Sequence, residues 1–548
     1  MYDLYKANLV LNDIFVFDED GDMEKCKLEV KNHPLVWDFS PNGDDEWTYM
    51  LNRFSYLDLL DRAYEKTKDE VYINKGFYLI NNWIDNVELE PSKMTRTLDT
   101  GMRIYHFIKF VSSRKIDDDI FMKKIRKSLM EQIYFLENNY IEKYDLSNWG
   151  LVQVIAIAVA GIYFNNKEMY DKSLEKLKDM LAIQYIDESS IHWEKCIGYH
   201  NFMLLWLLRL SDFEKSNGYE ISFKDNIKNI AKTTKLTSDL SFKQINNGDS
   251  DLTDIRFLIR RYEEIFEEKI ICEKYKLFEN YGLYVEKNSN SYLSCYNQSM
   301  SSNHTHADFT HFNYQNKELK ILDGGRYTYK EGKDRKYFKL FSHNNLIIDG
   351  ISSMGYVSSW QTNYYPMINP IYVKKDKNTF VEMSYFDDNR NIFVKRRIFY
   401  LKEGDLIVFD QVKCSGNHEV KMELLSEGIN RKNFLTDKQY MLEDGGYFSP
   451  EYNKLDSCLK VKISENFTDT YTQCMVFGNV EDYEFVKVKR NKEYLSDKQA
   501  LAIRNKNEII VNVFEEITDS PRVFNVEGIK FHARAIVLNG QQDLDIYR

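Results

Sequence analysis

Apolar positions change their spacing once along this chain, near residue 275. Before that point they recur every three or four residues, as in Trp47-Met50-Leu51-Phe54-Leu57-Leu60 and Ile155-Val159-Ile162-Tyr163. That is the period of a helix with one buried face. The pattern predicts helices over 46–66, 70–87, 96–113, 117–138, 147–164, 168–184, 192–214 and 222–238, joined by short connections carrying Asp, Asn, Ser and Gly. A run of antiparallel helical hairpins suggests a bundle or an incomplete α/α toroid.

After the change the pattern alternates, with Tyr, Val, Ile and Phe prominent. Tyr281-Gly282-Leu283-Tyr284-Val285, the run from Ile392 to Tyr400 and the run from Asp405 to Asp410 read as strands. Lys402-Glu403-Gly404-Asp405, Asp444-Gly445-Gly446 and Asn539-Gly540 read as turns between strands. Many short strands so punctuated predict a large antiparallel β-sandwich. The expected fold class is therefore multidomain, α then β: a helical domain over 1–275 and a sandwich over 276–548, with room for a small C-terminal β subdomain. A length of 548 residues agrees with two or three cores.

Composition narrows the partners. No window approaches the ~20 apolar residues that span a bilayer, so no membrane is expected. The start, Met1-Tyr2-Asp3-Leu4-Tyr5-Lys6, has no basic region followed by an apolar one, which predicts a cytoplasmic protein. Seven scattered cysteines, never in a Cys-x-x-Cys pair, argue against a disulfide framework or a thiolate zinc site. A net charge of −11 gives no footprint for nucleic acid. An acidic ligand stays open, because a basic cleft can sit on an acidic surface. The oligomeric state is not legible.

Candidate chemistry concentrates in Asn303-His304-Thr305-His306-Ala307-Asp308, Leu322-Asp323-Gly324-Gly325 and Ser342-His343-Asn344-Asn345. On a strand, His304 and His306 would face the same side, which suits a metal or a catalytic site; hydrogen-bonded histidines at a sheet edge are the plainer reading. In the helical half, Ser147 or Asn148 could cap a helix or present an amide at its positive end. Cys196, Tyr199 and His200 would share a helix face, either as core residues or as a polar site. Arg96 and Arg103, seven apart with His106 one turn beyond, could pair with surface acids or bind an anion.

These residues together resemble the heparinase II/III-like polysaccharide lyases. The likeness rests on Asn303–Asp308, Leu322-Asp323-Gly324-Gly325-Arg326-Tyr327-Thr328-Tyr329, Arg335-Lys336-Tyr337 and the run from Ser342 to Gly350. In the helical half it rests on Glu46-Trp47, Leu51-Asn52-Arg53, Arg96–Asp99, Ser147-Asn148-Trp149 and Glu194-x-Cys196-x-x-Tyr199-His200. Cys196 stands where the family often has Ser, and Trp149 where some branches have His, which is similar to the heparinase III side. The resemblance implies β-elimination at uronic acids. Asn148 would hold the substrate carboxylate, Tyr199 would protonate the leaving O4, and His304 would take the C5 proton of iduronate. On glucuronate Tyr199 would serve as base and acid, with His200 or His304 lowering its pKa. Arg96, Arg103, His200 and Trp149 would contact substrate. His306, Asp323 and His343 would bind one divalent metal, zinc or manganese before calcium, in a structural role. The implied substrates are acidic polysaccharides or oligosaccharides: heparan sulfate or heparin, with hyaluronan and chondroitin sulfate in the same class. An oligoalginate lyase and a non-catalytic carbohydrate-binding relative are the alternatives. A glycoside hydrolase would need two opposed carboxylates, and the sequence offers no convincing pair, Glu194 and Asp99 being the nearest to one.

Overall fold

A computed structural model describes every residue except 1, 20, 42, 113, 115–118, 187–189, 515–521, 540–542 and 548. The Gly540 turn and the start of the helix expected from 117 fall outside the described residues. Among the described residues, no helix is long and apolar enough to cross a membrane. The chain forms two compact units. One comprises Met1–Trp193, Gly198–Lys235 and Asp254–Ile271; the other comprises Glu194–Ile197, Leu236–Thr253 and Cys272–Arg548. A single cut at 275 thus becomes an interleaving, in which two short stretches from the helical half belong with the strands.

The first unit is helical. Helices Val71–Asn86, Thr97–Ser112, Asn148–Tyr163 and Lys167–Gln184 match the periodicity to within a residue or two. Asn148–Tyr163 is apolar on all sides and correspondingly buried, packing against both Thr97–Ser112 and Lys167–Gln184. Small residues permit this: a Cβ on Gly101 would lie 3.3 Å from the Gln153 backbone, and one on Gly161 would lie 2.8 Å from the Tyr170 amide.

Two expected helices are broken. The run 46–66 is Asp45–Arg53 and Leu57–Thr67, separated by Phe54 in a left-handed conformation (φ 62°). Its ring stacks on Trp37 at 5.3 Å and meets Phe107 edge-on at 4.8 Å, so core packing holds a strained backbone. The run 192–214 begins only at Ile197. Ile191–His192 instead pairs with Tyr185–Ile186 as a two-stranded ribbon, and Lys195 takes φ 54°.

The second unit is antiparallel. Its main sheet runs in order Met367–Ile368, Thr379–Asp387, Ile392–Tyr400, Leu406–Glu427, Lys320–Leu322, His311–Gln315, Tyr292–Tyr296, Leu283–Lys287 and Tyr275–Phe278, and Leu406–Glu427 also pairs with Asp456–Phe477. Alternation sends Val381, Ile398, Leu406 and Val408 into one core, and Phe380, Phe399, Ile407 and Phe409 into another. Ile503, Ile510 and Val537, from a five-stranded sheet near the C-terminus, close the second core. Successive side chains point to opposite faces and residues two apart share one, so the sheet builds a core on each side.

Candidate active site

In the strand-rich unit, side chains converge on Asp249, whose carboxylate is fully buried. Its Oδ2 accepts from His304 Nδ1 at 2.9 Å, and its Oδ1 accepts from His306 Nε2 at 2.9 Å. Arg335 donates Nη1 to Oδ1 at 2.5 Å and Nη2 to Oδ2 at 3.0 Å. Burial alone would raise the carboxyl pKa, but the guanidinium and the two imidazole bonds hold it well below the usual range. The Asp249 amide also donates to the His304 carbonyl at 3.0 Å. Gly248 makes this approach possible: its φ is +54°, and a Cβ there would lie 2.5 Å from the same carbonyl oxygen. The His304 ring meets Trp360 edge-on at 5.7 Å.

His306, Asp323 and His343 lie in one buried cluster. His343 Nδ1 is 2.7 Å from Asp323 Oδ2, and the His306 and His343 rings are 5.4 Å apart. Burial lowers the His306 pKa to about 3 against the pull of Asp249, so the ring is neutral. With Nε2 donating to Asp249, Nδ1 carries the lone pair, and no hydrogen bond meets it. His306 thus offers a buried, unpartnered nitrogen, but the ligand atoms that lie within 4.8 Å of one another, a spacing that fits a divalent ion, belong to His311, Asp323 and His343. His311, which the sequence did not single out, thus stands where His306 was expected, its Nε2 3.5 Å from Asp323. Its Nδ1 accepts the Asn344 amide at 3.0 Å, so its Nε2 bears the proton.

In the helical unit, Ser147 is the extended residue before the helix, yet its hydroxyl donates back to the Tyr144 carbonyl rather than capping. Asn148 is the first helical residue and is buried. The turn before it is pinned by Gln184, which donates to the carbonyls of Asp145 (2.7 Å) and Ser147 (3.3 Å), and by Trp193, which donates to that of Leu146 (2.8 Å). Trp149 stacks on Tyr144 at 5.6 Å. Arg96 lies over Trp149 at 5.0 Å and Tyr49 at 3.5 Å, with its guanidinium on Asp99 at 2.6 Å.

The two arginines separate. Arg103 is fully buried, stacked on Trp83 and spent on Gln132, Thr100 and the carbonyls of Asn52 and Met94. It supports the helical core and is not presented to an anion, a correction to the expected pair. His200 needs the same correction. It is fully buried, bonded through Nε2 to the Ile230 carbonyl at 3.3 Å, and burial lowers its pKa to about 4. A neutral ring turned into the core neither contacts substrate nor supplies the positive charge that would acidify Tyr199. Asp99 is buried between Arg53 (2.7 Å) and Arg96 and held ionised, which removes it as a proton donor for a hydrolase.

His200 carries a testable consequence. Its folded pKa lies below the usual 6.5, so only the unfolded chain takes up a proton between about pH 6.5 and pH 4. Its share of stability is full above that window and is lost as pH falls through it. His200→Gln, which keeps a donor for Ile230, should therefore lose about 2 kcal/mol less stability than the parent between pH 7 and pH 5. Urea unfolding at the two pH values reads this; identical losses would contradict the burial argument.

The model for the heparinase II/III N-terminus matches residues 15–268, and that for the heparinase II/III-like C-terminal domain matches residues 273–448. The chain belongs to the heparinase II/III family of polysaccharide lyases. No curated protein sequence matches it. Among solved structures, a heparinase III aligns with TM-score 0.73 and 16% identity over 97% of this chain and 90% of its own. The heparan sulfate lyase HepC from Pedobacter heparinus aligns at 0.61 and 15%, over 98% and 89%. The chondroitin AC lyase of Streptomyces coelicolor A3 aligns at 0.54 and 8%, over 95% and 86%. At such identities the structures speak for the shared fold.

For this family member, Asp249 was missed in the sequence. Its signal was Asn246-Asn247-Gly248-Asp249-Ser250-Asp251, a polar run with a glycine turn that reads as an ordinary connection.

Proposed function

We propose that the chain cleaves uronic-acid glycosaminoglycans or their oligosaccharides by β-elimination, heparan sulfate or heparin foremost, leaving a 4,5-unsaturated uronate. The observation that carries this reading is His304 with Nδ1 bonded to a buried, ionised Asp249 and 14% of its side chain exposed.

The C5 proton is weakly acidic because the adjacent carboxylate is negative. An amide from Asn148, at the positive end of its helix, lowers the cost of the enolate-like charge that develops there. His304 Nε2 removes the C5 proton of iduronate, and the Tyr199 phenol delivers its proton to O4 as the C4–O4 bond breaks. On glucuronate, with the proton and O4 on one side, Tyr199 performs both transfers. Arg96 and Trp149 offer a cation and an aromatic face for the sugar acid.

His311, Asp323 and His343 would hold a divalent metal, zinc or manganese, which would brace the segment bearing His304. His343→Ala should lower metal content and melting temperature together, because metal binding is linked to folding. Metal analysis beside calorimetry checks this, and unchanged stoichiometry would contradict it.

The substrate class is tested by incubation with heparan sulfate, heparin, hyaluronan, chondroitin sulfate and alginate, following the ultraviolet absorbance of the unsaturated uronate. Fastest release from heparan sulfate supports the proposal. Release from alginate alone would replace it with an oligoalginate lyase, and release from none, with retained binding, would make the chain a carbohydrate-binding relative.

A further inference from the structure

We propose that Asp249 is the positioning residue for His304, fixing the orientation of its ring through Nδ1, and that Arg335 in turn fixes Asp249. This rests on the reading of His304 as the base for iduronate.

An ionised carboxylate only accepts hydrogen bonds. At 2.9 Å from Asp249 Oδ2, His304 Nδ1 must be the donor, which turns the Nε2 side of the ring away from the carboxylate. Asp249 is sealed from solvent while His304 keeps part of its side chain exposed. Two further attachments stiffen the pair. The Asp249 amide bonds the His304 carbonyl, and both guanidinium nitrogens of Arg335 grip the two carboxylate oxygens. Neighbouring Asp251 cannot substitute, because Arg326 holds it at 2.8 and 2.7 Å. Arg335 belongs to a recurring motif without an assigned task; here its task is to aim a carboxylate. The other oxygen of Asp249 holds His306, so one side chain orients both histidines of the His-x-His pair.

The test compares Asp249→Ala, the charge-balanced Asp249→Ala/Arg335→Met and His304→Ala, with kcat and KM measured on iduronate- and glucuronate-containing oligosaccharides. The Asp249 variants should lose about a hundredfold or more in kcat on iduronate, the scale of a general base, with KM nearly unchanged and glucuronate cleavage reduced less than about tenfold. An iduronate rate kept by both Asp249 variants while His304→Ala loses it overturns the positioning role alone. An iduronate rate kept by His304→Ala overturns the base assignment and this inference with it. Should neither Asp249 variant fold, 15N NMR of histidine-labelled parent protein decides: a proton on His304 Nδ1 supports the inference, and a proton on Nε2 alone overturns it.

Discussion

Phenylalanine in place of Tyr199 should cut turnover on every substrate by on the order of 10³–10⁴, with KM and melting temperature close to the parent. The phenol is assigned the one step that both epimers share, protonation of the departing O4, and on glucuronate it is assigned the base step too. Tyr199 is the third residue of the helix Ile197–Ser216 and is buried, so phenylalanine preserves the buried surface and removes only the hydroxyl. Initial rates across substrate concentrations, beside calorimetry, check this. Retained kcat would remove Tyr199 from the mechanism, and a lowered melting temperature with raised KM would make it structural.

His304→Ala should divide the substrates. Iduronate cleavage is expected to fall about 10²–10⁴-fold, while glucuronate cleavage, carried by Tyr199, falls far less. The asymmetry follows from stereochemistry: the C5 proton of iduronate lies on the face opposite O4, so one phenol cannot serve both atoms. Matched oligosaccharides differing only at C5 give the ratio directly. Equal losses on both would refute the division of labour.

The fold was legible because its signal is periodic. Spacing of three and four placed Val71–Asn86 and Asn148–Tyr163, and alternation placed Ile392–Tyr400, since each pattern is the direct consequence of burying one face or two. Breaks were not legible where packing overrides local preference: nothing in Phe54 or Lys195 announces a left-handed backbone. The interleaving of Leu236–Thr253 with the strands was hidden for a related reason, because loops carry no period.

The candidate site was legible by residue type but not by role. Arg96 and Arg103 look alike in a helical register, yet one lies against Trp149 and Tyr49 while the other fills the core. Tyr199 and His200 are adjacent, but a rotation of about 100° per residue turns the imidazole inward to Ile230. Asp249 was invisible because it meets His304 from 55 residues away, through a turn that only Gly248 permits.

Product analysis on a defined heparan sulfate hexasaccharide tests the central claim most directly. Elimination predicts fragments whose new non-reducing end is a 4,5-unsaturated uronate, seen as ultraviolet absorbance and as a mass lacking one water relative to hydrolysis. Saturated uronate ends of full hydrolytic mass would contradict it.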